Sequence, residues 1–257
     1  MLLARRTLIA SAAGALAFAP WIGRARAQVA PVASDQTADA LFRELDERIE
    51  AAMVRYHVPG VAVGVFWQGR EHLKGFGVTN VDHPLPVDAE TLFRIGSTTK
   101  TFTATAMMRL VEQGKVDLAA PARRYLPDLK LADEAAAASV TVRQLLNHSA
   151  GWMGDDYGDF GRGEDAIARY LASVKQLPQL TPPGDVFAYN NAAVVVAGRV
   201  IEMLTGKPYE TALQELVLEP LGLRRSGFFT DQLIGESIAA SHDAKEDHAV
   251  VMSGAWA

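Results

Sequence analysis

The sequence predicts an α+β fold, on three observations. A β-branched run at Val61–Trp67 and a second run at Arg70–Val78 flank Gln68-Gly69, the pattern of a hairpin. Most of the chain that follows reads as helix or loop. The strand–helix–strand alternation of a doubly wound sheet does not occur. The 257 residues are 49% hydrophobic and 21% charged, with 21 Gly, 12 Pro and no Cys. That composition suits a folded chain with a sizeable core and excludes collagenous, disordered and disulfide-stapled classes. Without Cys there is no thiol nucleophile and no thiolate metal site. A net charge of −5 argues against general nucleic-acid binding, which needs a basic face.

The elements follow in order. Residues 1–27 carry a basic start with Arg5-Arg6, an apolar stretch at Thr7–Ile22 and the small-residue site Ala25-Arg26-Ala27. This is the three-part pattern of a secretory signal peptide. The apolar stretch is short for a membrane span, so no stable membrane anchor is expected. Arg5-Arg6-Thr7-Leu8-Ile9 resembles a twin-arginine export signal. Removing residues 1–27 takes away four Arg and no acid, leaving 21 basic and 30 acidic residues and a net charge of −9. The mature chain is therefore expected to be soluble, acidic and periplasmic or secreted.

Residues 28–37 read as a linker, and residues 38–257 as the domain. Leu41, Leu45, Ile49 and Met53 recur every four residues with charges between them, an amphipathic helix that stops before Pro59-Gly60. After the hairpin, a helix is predicted from Ser97 to Gln113, closed by Gly114. Shorter helices are predicted at Thr141–Asn147, Ala166–Val174, Ala192–Leu204 and Tyr209–Leu218.

Several catalytic signatures are missing from the sequence. There is no His-Glu-x-x-His and no Gly-x-Ser-x-Gly elbow. Gly161-Arg-Gly163-Glu-Asp-Ala166 imitates a dinucleotide loop, but no strand precedes it, and a plain loop fits better. The six His show no ligand spacing. Two segments do carry chemistry. Ser97 sits at a predicted helix start with Lys100 one turn later on the same face. A helix N-terminus favours an alkoxide, a neighbouring Lys can take a proton, and the Ser97 N–H can serve an oxyanion hole. The alternative is a Ser97 N-cap beside a solvated Lys100. In Phe187-Ala-Tyr189-Asn-Asn191, an extended chain would point Tyr189 and Asn191 the same way, as proton shuttle and amide holder. The alternative there is that Asn190 or Asn191 merely caps the next helix.

Ser97-x-x-Lys100 followed by Tyr189-x-Asn191 resembles the penicillin-recognising serine hydrolases, in the branch of the class C β-lactamases and their esterase and D-aminopeptidase relatives. Val58–Val63, Thr91–Ser97, Leu110–Leu118, Tyr125-Leu-Pro127, Leu145–Gly151 and Glu219–Leu223 are similar to further landmarks of that family. The resemblance implies a β-lactamase/transpeptidase-like fold, an antiparallel sheet flanked by helices with an all-helical subdomain. It implies Ser97 as acylated nucleophile, Lys100 as its proton partner, Tyr189 as base and Asn191 as the residue that binds the substrate amide. His148 is expected to anchor a loop. No metal or organic cofactor is implied, and the expected partner is a small-molecule or peptide substrate. The resemblance also implies a third motif, Lys-Thr-Gly or His-x-Gly, on a downstream strand that lines the site. Neither occurs in the sequence; His242-Asp-Ala244 and Lys207-Pro-Tyr209 do not fit. The 257 residues are therefore expected to be either the front part of a longer enzyme or a short product that binds cell-wall peptide or β-lactam without turnover.

Overall fold

The structure, a computed structural model, describes residues 35–252 apart from 157 and 162. The signal peptide at 1–27, most of the linker and residues 253–257 lie outside the described residues. The first helix, α1 (Asp35–Tyr56), begins three residues before the domain start placed at 38, so the end of the predicted linker is helical. Its buried side runs through Ala38 and Phe42, and Leu41 lies at the exposed edge of the stripe.

The hairpin forms as its alternation requires: β1 (Gly60–Trp67) pairs antiparallel with β2 (Arg70–Gly77), Val63 opposite Lys74 and Trp67 opposite Arg70. Gln68 and Gly69 both take positive φ, which matches the right-handed twist of a two-residue turn. One face of the hairpin rests on α1. Asp46 accepts hydrogen bonds from His72 and Lys74, each at 2.7 Å, and Phe42 stacks on the His72 ring at 4.7 Å.

The remaining helices form one apolar body: α2 (Thr99–Glu112), α3 (Glu134–Ser139), α4 (Val142–Leu146), α5 (Ala166–Val174), α6 (Asn191–Thr205) and α7 (Tyr209–Leu213). Helix α6 is its axis, burying Val196, Val200 and Ile201 against Met107 and Leu110 of α2 and Leu145 of α4. Tyr209 at the start of α7 ties that body to α2, its hydroxyl 2.7 Å from Thr103 Oγ1, and burial raises its pKa. The helix predicted at Tyr209–Leu218 is in fact α7 followed by a π-turn at Gln214–Leu218. A second hairpin, β3 (His242–Ala244) with β4 (Ala249–Val251), has no counterpart in the sequence reading. Three-residue strands are too short to show a period. His242 stands in this hairpin and accepts the Val81 N–H at 3.2 Å.

Candidate active site

Ser97 occupies a single 3-10 turn, Gly96–Thr98, that leads into α2. Its hydroxyl caps nothing. Lys100 Nζ donates to Ser97 Oγ at 2.9 Å, and the Tyr189 hydroxyl donates to the same oxygen at 2.6 Å. Lys100 Nζ also lies 4.9 Å from the centre of the Tyr189 ring. Three of the four predicted site residues thus meet at one oxygen, across 92 residues of sequence. The Lys100 ammonium, together with the Ser97 hydroxyl, lowers the Tyr189 pKa below the ordinary tyrosine range. The phenol is half exposed, so substrate and water can reach it.

Tyr189 is aimed by its neighbours. Asn190 is the N-cap of α6, its side chain accepting the Ala193 N–H at 2.7 Å and donating to the Trp152 carbonyl at 2.8 Å, with 1% of its surface exposed. The capping alternative is therefore correct for Asn190 and not for Asn191. His148 grips the same strip: its carbonyl accepts the Ala188 N–H and its Nδ1 accepts the Asn190 N–H at 3.1 Å. The His148 ring lies 4.5 Å from that of Tyr189. Burial lowers the His148 pKa, and the Lys100 charge adds to the shift. This agrees with the loop-anchoring role expected of it.

The fourth residue sits differently from expectation. Asn191 is the first residue of α6, not part of an extended run, so strand alternation does not set its direction. Its Nδ2 donates to Asp155 Oδ1 at 2.5 Å, and no hydrogen bond joins it to Ser97 or Lys100 among the described residues. Asp155 is the residue that sequence reasoning missed. It stands on a segment stitched to the Tyr189 strip: Ala192 N–H donates to the Gly154 carbonyl at 2.8 Å. A Cβ on Gly154 would come within 2.6 Å of the Tyr189 carbonyl, so glycine lets the two backbones meet. That glycine was the one available signal, and it does not say what lies across from it.

Beside Ser97, a cleft of about 730 Å³ opens along Gly96 and Thr99, with Phe93, Ile95, Phe228 and Phe229 in its walls. No three His, Asp or Glu side chains gather as metal ligands among the described residues. No helix among them is long and apolar enough to cross a membrane.

A family model described as Beta-lactamase matches residues 40–256. Penicillin-binding protein 4 of Amycolatopsis lactamdurans is 35% identical over 196 residues, which are 76% of this chain and 51% of that protein. Esterase EstB of Burkholderia gladioli is 32% identical over 223 residues, 79% of this chain and 55% of the esterase. Among solved structures, the octameric penicillin-binding protein homologue from Pyrococcus abyssi superposes with a TM-score of 0.72 at 31% identity, over 82% of this chain and 50% of that one. The chain spans about half the length of the relatives it matches. With a β-lactamase/transpeptidase-like fold and a family model matched over most of its length, the chain belongs to the beta-lactamase family.

Proposed function

We propose that this chain is an exported serine hydrolase that cleaves an amide or ester through an acyl-enzyme at Ser97. The observation that carries the reading is the Ser97 hydroxyl held between Lys100 at 2.9 Å and Tyr189 at 2.6 Å. With Tyr189 protonated, its O–H donates to Ser97. With Tyr189 ionised, the same contact lets it accept the Ser97 proton as Ser97 Oγ bonds to the substrate carbonyl carbon. Lys100 stabilises the phenolate while it exists. The proton then passes from Tyr189 to the leaving nitrogen or oxygen as its bond to carbon breaks. Water repeats the sequence in reverse: it gives a proton to Tyr189, attacks the acyl carbon and releases Ser97, which recovers that proton. The Ser97 N–H, at the start of the helical turn, supplies one donor to the oxyanion. Among relatives, a penicillin-binding protein and an esterase both match, so a β-lactam, a D-amino-acid peptide and an ester all fall within the proposal. The export part rests on the pattern of residues 1–27.

A second reading is a family member that binds cell-wall peptide or β-lactam without turnover. Intact-mass spectrometry of the 257-residue chain, incubated with a penicillin and separately with an activated acyl ester, separates the two. The hydrolase reading expects an acyl increment and continuing product release, both absent from Ser97→Ala. An increment that forms and stays, with no further product, favours the binder. No increment and no product release with either reagent overturns the Ser97 reading.

A further inference from the structure

Asp155 is a part-buried carboxylate bonded to Asn191, two residues from Tyr189, with no ion-pair partner among the described residues. The ion pairs of the described residues engage other acids, and the cation nearest the reacting atoms, Lys100, is committed to Ser97. Tyr189 feels the Asp155 charge, which opposes the lowering of its pKa and places the carboxylate within electrostatic reach of the catalytic phenol. The adjacent acid, Asp156, is satisfied elsewhere: it accepts the Gly158 N–H at 3.0 Å and bonds Ser173.

The contact with Asn191 fixes how that amide faces. A carboxylate only accepts, so the group turned to Asp155 must be the Asn191 NH₂. The Asn191 Oδ1 is left as an acceptor beside Asp155, and the second N–H of its amide remains a donor. That amide oxygen and the unpaired carboxylate together are a good complement to a donor with positive charge.

We propose that Asp155, with the Asn191 side-chain oxygen beside it, selects acyl groups that carry a protonated amine. The preferred substrates are then amides or esters of an amino acid with a free amino group, in preference to their N-acylated forms. This rests on the Ser97 acyl-enzyme reading and deepens it. Asp155 forms no bond to the reacting carbon in this scheme; it holds the ammonium and thereby places the carbonyl against Ser97 Oγ.

The test compares Ser97 acylation by alanine p-nitrophenyl ester, with its amine free, and by the N-acetyl form of the same ester. Each rate is followed by nitrophenol release and intact mass, in the wild type and in Asp155→Asn. Asparagine keeps an acceptor for Asn191 and removes only the charge. The ratio of free-amine rate to N-acetyl rate is expected to fall about tenfold in Asp155→Asn, which cancels the differing intrinsic reactivity of the esters. In the wild type the same ratio should shrink as salt is raised, because the attraction is a partly solvated charge pair. A structural role would slow both esters together and leave the ratio and its salt dependence flat, and that result overturns the proposal. If neither ester acylates wild-type Ser97, the hydrolase reading itself fails and this inference falls with it.

Discussion

At the scale of single residues, the site turns on one phenol. Tyr189 receives its lowered pKa from Lys100 first and Ser97 second, with Asp155 opposing. A base with a lowered pKa is ionised to a larger extent at any given pH, so acylation should rise with pH to a midpoint below the ordinary tyrosine value of 10.0. Lys100→Met removes the leading cause, and the midpoint should move upward. Tyr189→Phe removes the proposed base and should slow acylation about 100- to 10,000-fold while Ser97 stays in place. Pre-steady-state acylation across pH in both variants checks this; an unmoved midpoint in Lys100→Met would exclude Tyr189 as the base. The meeting of Ser97, Lys100 and Tyr189 was legible only because the two motifs, each with a capping alternative of its own, together resemble one family. Asp155 was not legible. Its contact with Asn191 spans 36 residues and depends on the Gly154 segment lying against the Tyr189 strip, which no local pattern encodes.

At the scale of elements, the Tyr189 strip is held by the start of α6. Asn190 satisfies the Ala193 N–H and the Trp152 carbonyl from a fully buried position. Asn190→Ala loses the cap and leaves a buried carbonyl without its donor, a cost of about 2–3 kcal/mol in the unfolding free energy measured with urea. Acylation should slow as well, since Tyr189 is the residue just before the cap. A loss under about 0.5 kcal/mol would mean that water replaces both bonds. Helices with strong contrast between faces were readable from the sequence: α5 spans Ala166–Val174 as the pattern predicts. Helix α3 was passed over because Ala135–Ala138 has no polar-apolar contrast. Its signal was the Asp133 cap, whose side chain accepts the Ala136 N–H at 2.8 Å. The π-turn after α7 left no local mark either. It is set by a 2.9 Å bond from the Glu219 N–H to the Gln214 carbonyl, one residue beyond the α register.

At the scale of the molecule, the two halves of the described fold are covered to different degrees. The helical body wraps α6 on several sides, whereas the β1–β2 hairpin has α1 on one face and its other face largely bare. Phe66 is 73% exposed and Leu73 is 61% exposed on that bare face, with Ala62 and Gly64 beside them. Among the described residues no third strand joins the pair, and apart from the Gly77 carbonyl, which accepts the Val87 N–H at 3.0 Å, its edges are not covered by another strand. An isolated two-stranded hairpin with an apolar face is a weak unit and a template for pairing. The 257-residue chain, studied alone, should therefore self-associate at concentrations in the tens of micromolar range and bind a hydrophobic dye. Replacing Phe66 and Leu73 together by threonine keeps strand propensity and removes most of the exposed apolar surface. That double variant should sediment as a monomer and bind less dye, with its urea midpoint shifted by less than about 1 kcal/mol, because the exposed side chains contribute little burial to lose. Sedimentation velocity of both proteins over a concentration series decides the matter. A monomeric wild type without dye binding would show that this face is covered in solution, and the hairpin would then need a partner surface within the chain itself.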